Sequence, residues 1–405
     1  MKTIAIIGGG ASGLYLASLL EKSSYKTLLI EKNDRIGKKI LITGNGKCNL
    51  SNMNINLESY NNSFALEIIN NYTNLETLNY FEKLGLLYYC DEEQRVYPYS
   101  DSANTVLDVL RRSLKKVEII TNSEIVKIEV KKNKQFILYN KNNKVFYCDI
   151  LVLACGGKTY YNNYNYIELV NKLNIKTNTL KPSLVGLKIK ENIKSLENIR
   201  VKAMVSLYNN NSLIHQEKGE VLFKKEGLSG IVIFNMHSFY NRIKELKQPQ
   251  LVLDLFPQFD ENQLKKIFDN KSDPLFGVFN KMLAKYLYSL PGDLLKNLKH
   301  LTFNITDSFG FTNAQVTSGG VCIDQIDSFC KVKNFDNLYI MGEMLDIDGI
   351  CGGYNLQFAF SCAGSVYKDL LRSNLWKIII INLFFLQNKR KIKLIYPSSK
   401  NLWYT

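Results

Sequence analysis

The sequence predicts an α/β fold built on a Rossmann-like nucleotide-binding sheet, and three observations carry this prediction. A short β-branched apolar run, Thr3–Ile7, leads directly into the glycine turn Gly8–Gly13. After the turn, apolar residues recur at helical spacing before a second apolar run over residues 27–31. Two further apolar runs, residues 149–157 and 338–343, also lead into glycines. Runs of this kind are typical of parallel strands that are buried on both faces.

The glycine turn has the spacing of a dinucleotide-binding fingerprint, Gly8-x-Gly10-x-x-Gly13. The first glycine permits a tight turn, the second lets a pyrophosphate approach the backbone, and the third lets helix and strand pack closely. The helix that follows directs its N-terminal amides and positive dipole end at the phosphates. Glu31 lies 18 residues after Gly13, at the end of the second strand, where a carboxylate can bond a ribose hydroxyl. The spacing predicts a bound dinucleotide and leaves open whether it is a nicotinamide or a flavin.

The rest of the chain alternates between helical and antiparallel patterns. Helical periodicity covers residues 64–84, 103–114 and 356–371. Residues 117–147 form short apolar runs separated by polar turns, which predicts an antiparallel meander. From about residue 183 the runs become alternating, which indicates a small β-barrel or sheet.

These patterns divide the chain into four predicted parts. We expect a split nucleotide-binding domain, an inserted β-barrel, a small helical subdomain and a C-terminal tail. Their predicted boundaries are residues 1–182 with 319–375 for the nucleotide-binding domain, 183–257 with 301–318 for the barrel, 258–300 for the helices and 376–405 for the tail.

The composition is that of a folded protein with an unusual charge. The chain has 405 residues, of which 46% are hydrophobic, so disorder is excluded as its main state. The net charge of +15 is consistent with a nucleic-acid or membrane partner, yet 44 of the 52 basic residues are lysines. Proteins that bind phosphates and base edges favour the arginine fork. The charge therefore favours a composition bias over a nucleic-acid surface, and we expect a small-molecule substrate.

The cysteines and the chain start both predict a cytoplasmic protein. Eight cysteines form no CxxC pair and lie mostly in apolar runs, as reduced core thiols do. The apolar start leads into glycines and not into a signal-peptide cleavage site.

The apolar segment Trp376–Leu386 near the C-terminus has 11 residues. As a helix it would span only about 16 Å, too short for a hydrocarbon core of about 30 Å. It is a peripheral membrane or partner segment, an added element on the domain, or an extension without function.

Several motifs, in order along the chain, resemble the BaiN/RdsA-type flavoproteins. Residues 37–49 read GKKILITGNGKCN, which is similar to that family's pattern G-[RK]-K-[IL]-L-x-[ST]-G-x-G-[RK]-C-N. Residues 227–230 (GLSG) and 316–321 (VTSGGV) add to the match. The most specific stretch is residues 342–357, GEMLDIDGICGGYNLQ. The resemblance covers residues 1 to about 372.

The resemblance implies a glutathione-reductase-like, split FAD-binding domain with the inserted barrel and helices. It implies an oxidoreductase that transfers hydride between NAD(P)H, bound FAD and a small organic substrate, such as an enone or an amine. It also implies contacts with FAD from a defined set of residues. These are Ala11, Ser12, Glu31, Lys39, Asn45, Gly46, Gly342, Glu343, Asp346, Gly353, Tyr354 and Asn355, with a backbone contact to adenine near Val126.

Residue chemistry alone leaves parts of this site open. Asp346 is placed to bond ribityl hydroxyls, or it caps a helix. No catalytic acid or base is identified, because the three histidines share no motif and Cys48 is expected to be a packed thiol.

Two alternatives to the small-molecule enzyme remain: a flavin-dependent RNA-modifying enzyme and a non-catalytic flavin-bound interaction or membrane-associated protein. Residues 158–166 depart from the family pattern, since they lack its proline and glycines. The oligomeric state is not indicated, and no metal site is predicted.

Overall fold

The computed structural model of the protein describes residues 1–159, 166–269 and 271–372. In chain order its strands are β1 (Thr3–Ile7), β2 (Lys26–Ile30), β3 (Ser51–Asn52), β4 (Tyr88–Cys90), β5 (Arg95–Pro98), β6 (Glu118–Ile120), β7 (Ile125–Val130), β8 (Phe136–Asn140), β9 (Val145–Cys148), β10 (Ile150–Leu153), β11 (Thr177–Ser183), β12 (Leu187–Ile189), β13 (Arg200–Asn209), β14 (Ser212–Lys224), β15 (Gly227–Ser229), β16 (Gln250–Asp254), β17 (Leu301–Ser308), β18 (Val316–Val321) and β19 (Leu338–Ile340). The helices are α1 (Ala11–Leu20), α2 (Phe64–Asn71), α3 (Asn74–Lys83), α4 (Ala103–Ser113), α5 (Tyr166–Asn171), α6 (Ile231–Arg242), α7 (Glu261–Phe268), α8 (Lys281–Ser289), α9 (Leu294–Lys299) and α10 over 354–372.

A five-stranded parallel sheet in the order β19-β10-β1-β2-β6 forms the centre of the fold. Its register places Ile7 beside both Leu153 and Ile30, and Leu153 beside Ile340. Because the strands are parallel, the loops that follow them meet at one edge of the sheet, which is where α/β proteins bind ligands. The predicted Rossmann-like sheet is confirmed.

Helices and a meander cover this sheet and complete the larger core. In α1 every residue after Ala11 is buried. The meander predicted over residues 117–147 is β7-β8-β9, and it buries Phe136, Leu138 and Phe146. The prediction was wrong at its start, because residues 118–120 form β6, a parallel edge strand of the central sheet. The helical prediction over 64–84 missed a break. The chain forms α2 and α3 there: α2 ends at Asn71, Tyr72 is extended, and Thr73 accepts the Glu76 N–H as the N-cap of α3.

The second half of the chain forms a closed barrel with strand order β12-β15-β14-β13-β16-β17. Its apolar side chains form a core separate from the first, which includes Phe223 and Phe303. Helix α6 lies across β14, where a Cβ atom on Gly219 would be only 2.7 Å from the Val232 side chain. Helices α7, α8 and α9 fall within the predicted helical segment and add side chains to the same core. The predicted barrel and helical subdomain are therefore present.

Strands β11 and β18 pair antiparallel and lie before and after the barrel in sequence. The domain boundaries themselves stay a prediction. Residues 160–165, most of the loop that departs from the family pattern, lie outside the described residues, as does the predicted tail 376–405. Among the described helices, none combines the length and apolarity needed to cross a membrane.

Candidate functional site

A long cleft of about 1310 Å³, including the solvent at its mouth, follows the carboxyl edge of the parallel sheet. Loops after β1, β2, β10 and β19 supply much of its wall, together with the start of β18 and the first turn of α10. The predicted site residues that line it are Gly8, Gly10, Ala11, Ser12, Glu31, Lys39, Glu343 and Asn355.

Gly8 and Gly13 have the structural roles that the spacing predicts, and the predicted role of Gly10 at a pyrophosphate stays a prediction. Gly8 has φ +109°, and a Cβ there would lie 2.3 Å from the Ala154 carbonyl oxygen. A Cβ at Gly13 would lie 1.9 Å from the Gly8 carbonyl oxygen, so only glycine lets α1 approach β1 this closely. At Gly10 a Cβ would meet nothing within 4 Å. The space beside Gly10 is therefore part of the cleft. It lies next to the N–H groups of the first turn of α1, which have no acceptor within the helix.

Glu31 ends β2 and has a buried carboxylate, with 7% of the residue exposed. Its Oε2 accepts the Gly9 N–H at 2.8 Å, and its Oε1 accepts both the backbone N–H (2.9 Å) and the side-chain amide (2.6 Å) of Asn33. These donors fix the carboxylate at the edge of the cleft. Ser123 and Ile125 line the same end. Val126 is next to them at a register irregularity of the β7–β8 pair, where it has no partner in the strand register.

The middle of the cleft contains an ion pair between Lys39 and Glu343. The Lys39 ammonium lies 2.6 Å from Glu343 Oε2 and also donates to Thr159 Oγ1 at 2.6 Å. Glu343 Oε1 accepts the Thr317 N–H at 2.8 Å. A Cβ at Gly157 would lie 2.4 Å from Glu343 Oε1 and from Thr317 Oγ1. Four parts of the chain thus meet on one pair of charges, and the contacts with described residues use two of the three ammonium hydrogens of Lys39.

The start of α10 forms the other end of the cleft. Asn355, Leu356 and Phe358 line it. The Asn355 amide accepts the Gly349 N–H and donates to the Gly349 carbonyl, both at 2.9 Å, so it holds the preceding loop closed. Gly353 has φ +93°, and a Cβ there would lie 2.3 Å from the Ser51 carbonyl oxygen. This close approach packs the start of α10 against β3, and the positive end of the α10 dipole lies where Asn355 and Leu356 line the cleft.

Other predicted site residues are near the cleft but do not line it. Asn45 and Gly46 form a left-handed turn after Ile40, with φ values of +55° and +86°. Gly342 packs against Ser12, and the Tyr354 hydroxyl donates to the Asn54 carbonyl. The Asp346 carboxylate accepts the Gly319 N–H at 2.9 Å and the Asn178 amide at 2.6 Å, so it joins β18 to β11. The contacts of these residues with a cofactor stay a prediction.

Sequence reasoning missed several residues of the cleft. Gln315 and Val316 line it from the start of β18, and Gly156 and Gly157 line it after β10. The glycines that end the β10 run were a usable signal, because ligands bind at the carboxyl ends of parallel strands. Nothing in the local sequence distinguishes Gln315 from any polar residue between strands.

The thiols and histidines agree with the expectation of structural roles. Cys48 is fully buried, and burial raises the pKa of its thiol to about 11. His237 is buried in α6, where burial lowers the pKa of its imidazole to about 4. Among the described residues, no group of histidine, cysteine and acidic side chains is arranged to hold a metal ion.

The sheet, the open glycine turn and the fixed Glu31 carboxylate are those of a Rossmann-type, dinucleotide-binding protein. Residues 2–367 match the family model described as the HI0933-like protein Rossmann domain. The chain belongs to this family. It is an FAD-dependent oxidoreductase, and the space beside Gly10 fits the pyrophosphate of that cofactor.

Two curated relatives align with almost the whole chain. A 3-dehydro-bile acid delta(4,6)-reductase of Clostridium scindens is 31% identical, and the alignment covers 89% of this chain and 97% of the relative. A ribosomal RNA dihydrouridine synthase of Escherichia coli K12 is 26% identical, with 90% and 97% covered. Among solved structures, a 3-ketosteroid-delta4-(5alpha)-dehydrogenase of Rhodococcus jostii RHA1 is similar over 90% of this chain and 95% of its own, at 11% identity and a TM-score of 0.48.

Proposed function

We propose that the protein uses NADH or NADPH to reduce a carbonyl-conjugated C=C bond of a small organic substrate, by way of its FAD. The observation that carries this proposal is the 31% identical, nearly full-length relative named as a reductase of a dehydro-bile acid. When bound, FAD would supply the hydride chemistry between the nicotinamide and one carbon of the double bond, and water would supply the proton that the other carbon gains. The residues of the chain bind, orient and tune it.

The proposed binding roles follow the order of the cleft. Glu31 holds the adenosine ribose, and the backbone near Val126 contacts adenine. The turn Gly8–Gly13, with the first amides of α1, holds the pyrophosphate. Lys39 contributes positive charge, and we assign the ribityl chain and ring to the remaining predicted residues: Asn45, Gly46, Gly342, Glu343, Asp346, Gly353, Tyr354 and Asn355.

The N-terminal end of α10 supports the redox chemistry electrostatically. Reduction adds negative charge to the pyrimidine side of a flavin, and oriented amides at a helix start stabilise such charge. The Asn355 amide keeps the preceding loop in place, so these amides need no rearrangement when the charge appears.

The test is to follow bound-flavin absorbance through the two half-reactions. The purified protein is reduced anaerobically by NADH or NADPH, and then reoxidised by a conjugated enone, an amine-derived imine or oxygen. The saturated ketone with the same skeleton is the matched control, because it lacks the accepting double bond. We expect rapid reoxidation by the enone and none by the saturated ketone. Equal rates with both compounds, or no reduction by either nicotinamide, would contradict the proposal.

A second candidate function is reduction of uridine in RNA. It is favoured by the dihydrouridine synthase names of two relatives, 26% and 25% identical, and by the net charge of +15. The same reduced protein is mixed with ribosomal RNA at several salt concentrations. Reoxidation by RNA that is faster than by any enone, and that slows steeply with salt, would favour this second function.

A further inference from the structure

Gln315 lies in the cleft wall just before β18, and it is not among the residues assigned to FAD. It lines the cleft and is exposed, so open space lies in front of its side chain. Its backbone is fixed, because its N–H donates to the Leu184 carbonyl at 3.2 Å. Two residues later, the Thr317 N–H donates to Glu343 at 2.8 Å. Gln315 is therefore a polar side chain on a part of the wall that hydrogen bonds hold in place.

The Gln315 side chain is oriented by the loop before α10. The Cys351 Sγ lies 4.0 Å from Gln315 Oε1, and burial raises the pKa of this thiol to about 12, so the thiol keeps its hydrogen. The Cys351 N–H donates to the Asn235 side-chain oxygen at 2.9 Å, and the Asn235 amide donates to Glu217 of β14 at 3.0 Å. The contacts with described residues thus occupy Oε1 of Gln315 and leave both hydrogens of its Nε2 unused.

Gln315 shares the cleft with apolar side chains. Val316 follows it in the wall, and Ile347 and Leu356 line the same cleft. The ammonium and the carboxylate in the middle of the cleft are paired with each other at 2.6 Å. Ligand sites are typically apolar, with a few placed polar groups that fix the orientation of the ligand. An amide N–H among apolar neighbours fits the carbonyl oxygen of an otherwise apolar molecule.

We propose that Gln315 binds the substrate directly, and that its Nε2 donates a hydrogen bond to the carbonyl oxygen conjugated with the reacting double bond. The proposal rests on the proposed reduction of such a bond. Gln315 would then be a catalytic residue that also selects substrates, because a molecule without an acceptor at that position leaves the amide unpaired.

The electron movement in the substrate explains why this contact accelerates the reaction. The hydride pair forms a C–H bond at the far carbon of the double bond. The former double-bond pair then joins the near carbon to the carbonyl carbon, and the C=O pair moves to the oxygen, which becomes an enolate oxygen. Water gives a proton to the near carbon, and the C=O bond re-forms. As charge grows on the oxygen, the hydrogen bond from Gln315 strengthens, so the contact stabilises the transition state more than the bound substrate.

Binding of unreactive ligands to the holoenzyme tests the contact without turnover. A saturated ketone is compared with the hydrocarbon of the same skeleton, and the shift in bound-flavin absorbance gives each Kd. The variants are Gln315→Met, which lacks the donor, and Gln315→Glu, which replaces the amide with a carboxylate. The control is Thr312→Val, at an exposed position of the same loop that does not line the cleft.

The quantity compared is the Kd of the hydrocarbon divided by the Kd of the ketone. We expect Gln315→Met to lower this ratio about 3- to 10-fold, as for the loss of one neutral hydrogen bond. Gln315→Glu should lower it further, because a carboxylate repels the carbonyl oxygen. Thr312→Val should leave it unchanged.

Flavin reoxidation rates test the catalytic part of the proposal. Reoxidation by an enone should be about 100-fold slower in Gln315→Met, as when one donor to a developing oxyanion is removed. Reoxidation by ferricyanide, which has no carbonyl group, should equal that of the wild type, and so should the FAD content. A general structural defect would change these two controls as well.

The outcomes separate this proposal from the function on which it rests. An equal Kd ratio in the wild type and Gln315→Met overturns the contact, even where enones are reduced normally. Weakened FAD binding with an unchanged ratio also overturns it, because Gln315 would then contact the cofactor. Absence of enone reduction in the wild type, with the ratio still lowered in Gln315→Met, overturns only the reaction.

Discussion

At the scale of single residues, the cleft depends on glycines that are not equivalent. Gly13 is needed by the protein itself, because a Cβ there would overlap the Gly8 carbonyl at 1.9 Å. Gly10 has ordinary extended backbone angles, φ −83° and ψ −164°, and open space beside it. Its lack of a side chain therefore serves a ligand and not the fold.

This difference predicts opposite effects for two alanine substitutions. Gly10→Ala should leave the free energy of unfolding of the FAD-free protein unchanged and weaken FAD binding at least about tenfold, a loss of about 1.4 kcal/mol. Gly13→Ala should destabilise the FAD-free protein by about 1–3 kcal/mol through overpacking, partly offset by the better helix propensity of alanine. Urea unfolding and FAD titration measure the two quantities. Equal loss of stability in both variants would show that Gly10 also serves the fold.

At the scale of elements, α3 is joined to α10 through one acidic side chain. Glu76 forms a capping box with Thr73 and also pairs with Lys368 at 2.5 Å. Burial alone would raise the pKa of Glu76, but hydrogen bonds from Lys368 and Thr73 outweigh it and lower the pKa. A carboxyl group with a lowered pKa stabilises the fold above its unfolded pKa, and this contribution is lost as the pH falls through the folded pKa.

Glu76→Gln is therefore expected to destabilise the protein by about 1 kcal/mol near pH 7, because glutamine keeps the cap but loses the ion pair. The expected effect is small, since the two side chains are 35% and 39% exposed. The difference from wild type should disappear in acid, where Glu76 is protonated. Urea unfolding across pH measures it, with Glu67→Gln in the first turn of α2 as the control. A difference that persists below the folded pKa would exclude the ion pair as its cause.

At the scale of the whole molecule, two separate apolar cores underlie one cofactor cleft. The larger core contains the parallel sheet and α10, and the smaller core contains the barrel with α6. Most of the cleft lining belongs to loops of the larger unit. Hydrogen bonds to one carboxylate join the two units. Asp348 Oδ2 accepts the Ser183 hydroxyl at 2.8 Å and the hydroxyl of Ser238 in α6 at 3.4 Å.

FAD should therefore stabilise the two cores unequally. At a free concentration 1,000 times its Kd, a ligand adds about 4 kcal/mol to the unit that binds it. We expect hydrogen exchange to slow on FAD addition in β1, β10 and α10, and much less in β13 and β16 of the barrel. The Gly10→Ala variant serves as the control that should respond weakly at the same FAD concentration. Equal slowing in both cores would mean that the molecule opens as one cooperative unit.

Local patterns in the chain are sufficient to specify the short units of this fold. The strand–glycine turn–helix unit is specified within about thirty residues, because period-2 and period-3.6 patterns and glycine spacing act locally. The same holds for the meander and for the individual barrel strands, whereas closure of the barrel depends on the pairing of the distant strands β12 and β17. The break between α2 and α3 was missed, although Thr73 and Glu76 are a capping pair visible in the sequence.

The contacts between distant groups depend instead on how the complete elements pack together. Sequence motifs placed Lys39 and Glu343 in one site, but their ion pair joins positions 304 residues apart and depends on the parallel register of the sheet. Glu217 belonged to no motif, and it reaches the Cys351 loop because α6 crosses β14 and places Asn235 between them. Such contacts depend on how complete elements pack, and no local pattern encodes that packing.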